Sequence, residues 1–305
     1  GVMRIGLRTV LWTLLGRKPM GIGQALAGRL MQLVQARGAE VWLSSPLSGY
    51  IEEDGRVVGI EVTQDGKKRR VRAHKAVLVT AGGFARNAAM RKEHQTVDGS
   101  WTSANPGNTG EAILLGTAIR AATGLMDDAW WGPTFMMPDG SPAFAVYERS
   151  MPGCILVDER GQRFANESGS YVDVGHAMIA LNPNGPPPPT WLILDARHRN
   201  RYLLGFAPPR LTPKAWFTSG FMKKADTLDA LATACGIDAS GLRTTIESYN
   251  QHAREGRDPV FHRGESVYDN YYGDPTNPHN PNLLPIEQGP FYACQMVAGD
   301  LGTKG

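Results

Sequence analysis

The sequence predicts a mixed α/β (α+β) chain, and three observations predict it. Apolar residues recur at helical spacing over 21–37. Asp-Gly pairs at 54–55 and 65–66 separate short strand-like runs. Residues 76–80 form a continuous apolar run of the kind that fills a parallel sheet covered on both faces. The 305 residues suit about two domains. A hydrophobic content of 42% with 20% charged residues suits a globular protein with a real core. The net charge of +3 argues against a nucleic-acid footprint, which needs clustered Lys and Arg. The one basic run, Lys67-Lys68-Arg69-Arg70, reads as a solvated hairpin turn.

Cys154, Cys235 and Cys294 are far apart and odd in number, so neither a disulfide framework nor a metal site is expected, and a reducing, cytoplasmic setting is the simplest reading. The basic residues around Val10-Leu11-Trp12-Thr13-Leu14-Leu15 flank too short an apolar run for a signal peptide. No stretch reaches the ~20 apolar residues of a membrane span.

In chain order, Ile22, Ala25, Leu26, Leu30, Leu33 and Val34 define the first helix, stopped by Gly38. Gly21-Ile22-Gly23 ahead of it resembles a nucleotide-binding glycine motif. The residues before it are not a buried strand, so a loop opening a packed helix is the better reading. Glu40–Leu43 reads as a strand. The runs at 47–52, 57–62 and 70–73 read as a β-meander about the Asp-Gly turns. The apolar strand Ala76–Thr80 leads into Ala81-Gly82-Gly83-Phe84, small residues that let backbone approach a ligand or pack tightly. Asn108-Thr109-Gly110 opens a helix over 111–122. Such an N-terminus can serve a ligand oxygen or be a plain cap.

From Gly132 onward aromatic residues and prolines become frequent. Cys154–Val157 is a short strand, and Asp158-Glu159-Arg160-Gly161 is a tight turn. The segment that follows must place Arg163, Asn166, Glu167 and Tyr171. Residues 183–189 read as a surface loop, 227–236 and 238–254 as helices, 266–285 as irregular chain and 291–297 as a strand.

Taken together these segments carry a resemblance. Ala81–Phe84, Asn108–Gly110, Trp130-Trp131-Gly132-Pro133, Pro152-Gly153, Arg163-Phe164-Ala165-Asn166-Glu167, Lys224–Leu228, Tyr268–Pro275, Pro290–Ala293 and Gly299–Gly305 occur in that order. The chain resembles the flavoprotein superfamily of fumarate reductases and succinate dehydrogenases, and within it the 3-ketosteroid Δ1-dehydrogenases. Fumarate reductases place an arginine proton donor where Tyr171 stands, and substrate histidines where Gly132 and Gly302 stand. The loss of all three favours a neutral substrate, and the aromatic residues between Trp130 and Tyr147 suit a flat apolar ring system.

The resemblance implies an incomplete Rossmann-like FAD-binding domain with the meander (1–132), an inserted α+β substrate domain (133–296) and a return at 297–305. It implies desaturation of a 3-ketosteroid or similar apolar ketone at its 1,2 positions. Tyr171 removes the proton beside the carbonyl, and hydride passes to the flavin N5. A phenol in water ionises only near ~10, so such a base needs a positive neighbour or hydrogen bonds; Arg149 and Arg163 are candidate sources. Tyr147, Phe135, Trp131 and Phe206 are expected to line the substrate pocket. Ala81, Gly82, Gly83, Phe84, Asn108, Thr109, Gly110, Gly302 and Thr303 are expected to hold FAD. Glu111-Ala112 departs from the Asp-Gly usual in the family. Tyr268, Tyr271 and Tyr272 read as a structural loop or pocket lid, and His176 as structural.

The resemblance covers only the middle of that family's chain, without its glycine-rich pyrophosphate segment or its later Tyr-Pro-Gly segment. The polypeptide is therefore expected to behave as an internal fragment that binds FAD poorly or not at all and shows no turnover unless the missing parts are supplied; a yellow sample with stoichiometric flavin would refute this. The competing readings are a Δ4-dehydrogenase, a fumarate-reductase-like enoate reductase, and a flavin-free module for an apolar ligand. The electron acceptor is not specified by any of them.

Overall fold

A computed structural model describes residues 2–305, which form two compact units, divided between residues 77 and 78. The first unit holds two helices, α1 (Val2–Leu14) and α2 (Ile22–Ala36), and an antiparallel meander of β1 (Leu47–Glu53), β2 (Arg56–Gln64) and β3 (Lys67–Arg72). Both hairpins turn on Asp-Gly pairs in which both residues have positive φ (Asp54 +49°, Gly55 +72°; Asp65 +50°, Gly66 +72°), the backbone that a two-residue hairpin turn demands. The basic run is not in the turn: it is the solvent-facing start of β3, with Lys67 paired to Gln64 and Arg70 to Glu61.

Two sequence-based strands do not form. Glu40–Leu43 is irregular, and Ala76–Thr80 is extended, largely exposed and outside any sheet. A strand exists only where a ladder partner satisfies its N–H and C=O groups, and neither segment meets one among the described residues. Every strand pair in the two sheets is antiparallel.

The second unit runs α3 (Ala88–His94), α4 (Glu111–Ala118), β4 (Ala129–Met136), β5 (Pro142–Phe144), β6 (Cys154–Val157), α5 (Tyr171–Ala180), β7 (Thr190–Leu194), α6 (Ala196–Arg201), α7 (Lys214–Thr218), β8 (Met222–Ala225), α8 (Leu228–Cys235), α9 (Ala239–Arg254), α10 (Val267–Tyr271) and β9 (Phe291–Thr303). The sheet order is β5-β4-β9-β7-β6, with β8 also on β9. Its middle is buried on both faces. Cys154, Leu156, Leu192, Leu194, Cys294 and Met296 meet Val174 and Met178 of α5 on one side. Ile155, Val157, Ile193 and Ala293 meet Leu231, Leu242 and Ile246 of α8 and α9 on the other. Burial on both faces removes the apolar-polar alternation of an ordinary antiparallel sheet, so β6 reads as a plain apolar run.

Helix α4 stops at Ala118, short of the expected 122, and residues 266–285 contain the short α10. Strand β9 runs 13 residues, well past 297, because β4 pairs with it as far as Ala129–Thr303.

Candidate active site

Tyr171 is the first residue of α5, and the turn before it is built from buried ion pairs. Gly161 has φ +72°, and a Cβ there would lie 2.3 Å from the Leu242 nitrogen, so only glycine fits. The Glu167 carboxylate, fully buried, accepts from Arg163 Nε (2.8 Å) and Nη2 (2.7 Å), from Arg263 Nη1 (3.2 Å) and from the Leu156 N–H (3.1 Å). Burial alone would push this carboxyl up; Arg163 and Arg263 hold it below the ordinary range. Arg163 also pairs with Asp258 at 2.7 Å and stacks on Tyr249 and Phe261. Its charge is spent on Glu167 and Asp258, so it is an anchor for the turn and no positive neighbour for a base.

Arg149 is different. It is fully buried and donates to the carbonyls of Glu167 and Gly169, the last at 2.8 Å, and to Ala145 at 3.2 Å. Burial lowers its pKa to about 10, with Tyr268 acting in the opposite direction. Tyr268 lies beside Arg149 with the Tyr171 N–H turned toward its phenol; burial pushes that phenol up and Arg149 counters. Tyr268 therefore stands at the head of α5, closer to the proposed base than its reading as a lid implies.

Helix α5 is pressed onto β4 through glycine. A Cβ on Gly175 would lie 2.6 Å from the Gly132 nitrogen and from the Trp131 carbonyl carbon. A Cβ on Gly132 would lie 2.3 Å from Cζ of Phe144. Phe144 in turn packs edge-to-face on Tyr171, centroids 5.3 Å apart. Gly132 thus makes room for the ring that flanks Tyr171. The Tyr171 ring is half-buried and its hydroxyl meets no hydrogen-bond partner among the described residues. His176 pairs with Asp128 at 2.9 Å, an acid also held by Lys304 at 2.6 Å, a structural role.

The expected substrate residues divide. Phe135 is 1% exposed and packs edge-to-face with Phe221 in the core. Trp131 is 2% exposed, in a cluster with Val97 and Ala129 beneath the Arg91 guanidinium. Phe135 is a core residue, whereas Trp131, though largely buried, lines a cavity with Asp128, His176 and Ile179. Tyr147 is half-buried, and burial pushes its phenol up to about 12. Phe206 is 85% exposed, one residue from Gly205, whose carbonyl receives the Tyr147 hydroxyl at 3.5 Å.

The expected cofactor residues come together from three separate segments. The Phe84 N–H donates to Thr303 Oγ1 at 3.0 Å, and the Arg86 N–H donates to the Asn108 carbonyl at 2.9 Å. A Cβ on Gly82 would fall 2.5 Å from Asn108 Oδ1, and one on Gly83 2.0 Å from Thr303 Oγ1. Gly110, at φ +80°, has no space against Met90 and Phe84. Gly302, at φ +139°, would direct a Cβ to ordinary contact with Ala104 and Asn108, 3.9 Å from each. Ala81 and Gly82 stay exposed. Bare glycine backbone at this rim, with no room for a Cβ at Gly82 or Gly83, fits a flat cofactor laid along it. Phe84 is wholly buried and Thr303 Oγ1 is engaged by Phe84, so these two shape the rim from behind. The Thr109 hydroxyl is held by Glu111.

One buried pair escaped sequence reading. Asp300 accepts from Thr102 Oγ1 at 2.7 Å and lies 3.0 Å from Arg91 Nη1. The latter is an ion-pair contact without hydrogen-bond alignment, since no guanidinium nitrogen of Arg91 meets an acceptor at a bonding angle. It fastens α3 to the strand that carries Gly302. Asp300 sits among glycines that read as a loop, so nothing in the local pattern marked it.

Residues 7–305 match the family of the FAD binding domain. The chain belongs to that family. This FAD-binding-domain chain is 43% identical, over 99% of its length, to a 3-oxosteroid 1-dehydrogenase of Mycolicibacterium smegmatis, covering 55% of that protein. It is 36% identical, over 92% of its length and 49% of the relative's, to a 4-oxocyclohex-2-ene-1-carboxylate 5-dehydrogenase of Sinomonas cyclohexanicum. Its fold is similar to the crystal structure of 3-ketosteroid delta1-dehydrogenase from Sterolibacterium denitrificans in complex with 1,4-androstadiene-3,17-dione. That match has a TM-score of 0.85 and 38% identity, and covers 93% of this chain and 53% of that one. The chain spans about half the length of the curated relatives it matches. The resemblance drawn from the motifs is thus borne out, and the cofactor of the family is FAD. No helix among the described residues is long and apolar enough to cross a membrane.

Proposed function

We propose that this chain carries the catalytic base and part of the substrate surface of an FAD-dependent 1,2-desaturase of 3-ketosteroids. One observation carries the reading: Tyr171 heads α5 with its hydroxyl unpartnered, on a turn immobilised by Arg149, Arg163 and Arg263. A group without a protein partner, on a fixed stem, is free to bond to a substrate. FAD, when bound, supplies the hydride acceptor. The residues of this chain do the rest. Tyr171 takes the proton from the carbon beside the ketone, and the positive end of the α5 dipole favours negative charge at that end of the helix. Phe144 holds its ring edge-on. Tyr147 and Phe206 offer apolar faces to a flat ring system.

Ala81, Gly82, Asn108 and Gly302 would hold FAD directly, with Gly83, Phe84, Thr109, Gly110 and Thr303 shaping the rim. On β9 the rim begins three residues beyond Gly299, which pairs with Gly132. At the rise of a strand this is ~10 Å along β9. We also propose the division 1–132, 133–296 and 297–305, and a cytoplasmic setting, which suits three free cysteines. Tyr171→Phe in the flavin-loaded protein should lower dehydrogenation of a 3-ketosteroid by ~10²-fold or more; near-normal turnover would sink the assignment. Product analysis with an artificial electron acceptor separates 1,2- from 4,5-desaturation.

A further inference from the structure

Tyr147 and Phe206 are joined by a buried carboxyl that the proposed reaction does not use. Glu148 follows Tyr147 and is 4% exposed. Its Oε1 accepts from the Gly205 N–H at 3.2 Å, while Oε2 has no partner. The Tyr147 hydroxyl donates to the Gly205 carbonyl at 3.5 Å. Two consecutive residues therefore hold both backbone polar groups of one glycine.

That glycine sits at the tip of a two-residue turn. Leu204 and Ala207 exchange two backbone hydrogen bonds, of 3.2 and 3.0 Å, and Gly205 has φ +52°. The roots of the turn are buried, Leu204 at 0% and Ala207 at 3% exposure, whereas Phe206 at the tip is 85% exposed and Leu203 45%. The Gly205 N–H and the backbone N–H groups of Glu148 itself and of Tyr147 face the Glu148 carboxyl. Arg149 is turned toward the carbonyls of Ala145, Glu167 and Gly169. His198 meets only the Glu148 backbone carbonyl, and burial holds it neutral, down to about 3. Burial pushes the Glu148 carboxyl up. Burying such a group with half its acceptors unpaired is costly, and a large apolar ring fixed in water by it has no purpose within this chain's own core.

We propose that Glu148 is a specificity-determining positioning residue, which fixes Phe206 through Gly205 as a wall facing Tyr147 for the flat apolar ring of the substrate. This rests on the ring-ketone reading given above. Removing the acceptor frees the Gly205 N–H and lets the turn swing, so that the phenyl face is no longer presented at a fixed height. The chemistry at Tyr171 is untouched, because Glu148 does not contact it.

The test uses the flavin-loaded protein and a 3-ketosteroid, with KM and kcat measured separately. Glu148→Ala should raise KM about tenfold, the lower end of what one buried phenyl face contributes, with kcat within threefold of the parent. Phe206→Ala, at an exposed site where folding is not at risk, should do the same. The double variant should be no worse than Phe206→Ala alone, since both act on one contact. Glu148→Gln keeps an oxygen acceptor and should restore KM. Independent, multiplying effects of the two alanine variants would overturn the proposal, as would a Phe206→Ala protein with parental KM. So would a folded Glu148→Gln protein as impaired as Glu148→Ala. The parent is assayed with the segments of the family that this chain lacks supplied; a parent that then holds flavin but leaves a 3-ketosteroid unchanged refutes instead the desaturase reading on which the proposal stands.

Discussion

Gly175→Ala probes the seat of Tyr171 without touching any polar group. The new methyl carbon would lie 2.6 Å from the Gly132 nitrogen and the Trp131 carbonyl carbon, both main-chain atoms in a paired strand. Ordinary contact needs about 3.6 Å, so α5 must retreat from β4 by about 1 Å. Two stability effects oppose each other. Alanine in a helix interior gains ~1 kcal/mol over glycine, and overpacking costs about 1–3 kcal/mol. The net loss is therefore small, with a fall in melting temperature of a few degrees. Activity should suffer far more, because a ~1 Å misplacement of a reacting group is worth on the order of 10²-fold. Thermal melting together with steady-state dehydrogenation of a 3-ketosteroid by the flavin-loaded protein reads both. A variant that melts at or above the parent temperature and turns over normally would show that α5 is not held by this contact.

Two further outcomes follow from the same contacts. Gly83→Ala places a carbon 2.0 Å from Thr303 Oγ1 and must break its bond from the Phe84 N–H. Flavin titration should show FAD affinity falling about tenfold, the scale of one lost hydrogen bond; unchanged affinity would remove this rim from the cofactor site. Glu167 sets a pH dependence. Its folded-state pKa is depressed by Arg163 and Arg263, so its stabilisation is present above the unfolded value near ~4.3 and is lost as pH falls through the lower folded value. Acid unfolding followed by circular dichroism should show this loss in the parent. Glu167→Gln should be less stable at neutral pH and flatter below pH ~4; equal slopes would contradict the ion-pair account.

Much of the second unit was legible because its signals are local. Thr227 and Asp238 cap α8 and α9 with their own side chains, and Gly161 marks a turn no other residue can make. What escaped depends on partners distant in sequence. Ala76–Thr80 has the composition of a buried strand but meets no ladder here. Thr190–Leu194 follows a proline-rich loop and becomes a strand only because β6 and β9 flank it. Phe135 looks like a pocket aromatic until the sheet face it occupies is known. Of the proposed site, the motif order singled out Tyr171 and the glycine rim. The roles of Glu148, Asp300 and Arg91 are contacts between segments that no spacing rule encodes.

The pairing of β4 with β9 has a mechanical consequence. The two proposed domain crossings, at 132–133 and 296–297, lie in these two strands, nearly opposite each other, with Gly132 on Gly299, Pro133 on Ala298 and Thr134 on Val297. An inserted domain usually hangs on two loops and can swing freely. Here both connections belong to one hydrogen-bonded ribbon, which can twist or bend but cannot unfold at a hinge. A protease would find no exposed loop at either crossing. Any closure over a ligand there would come from the surrounding loops or from flexing of the ribbon as a leaf spring.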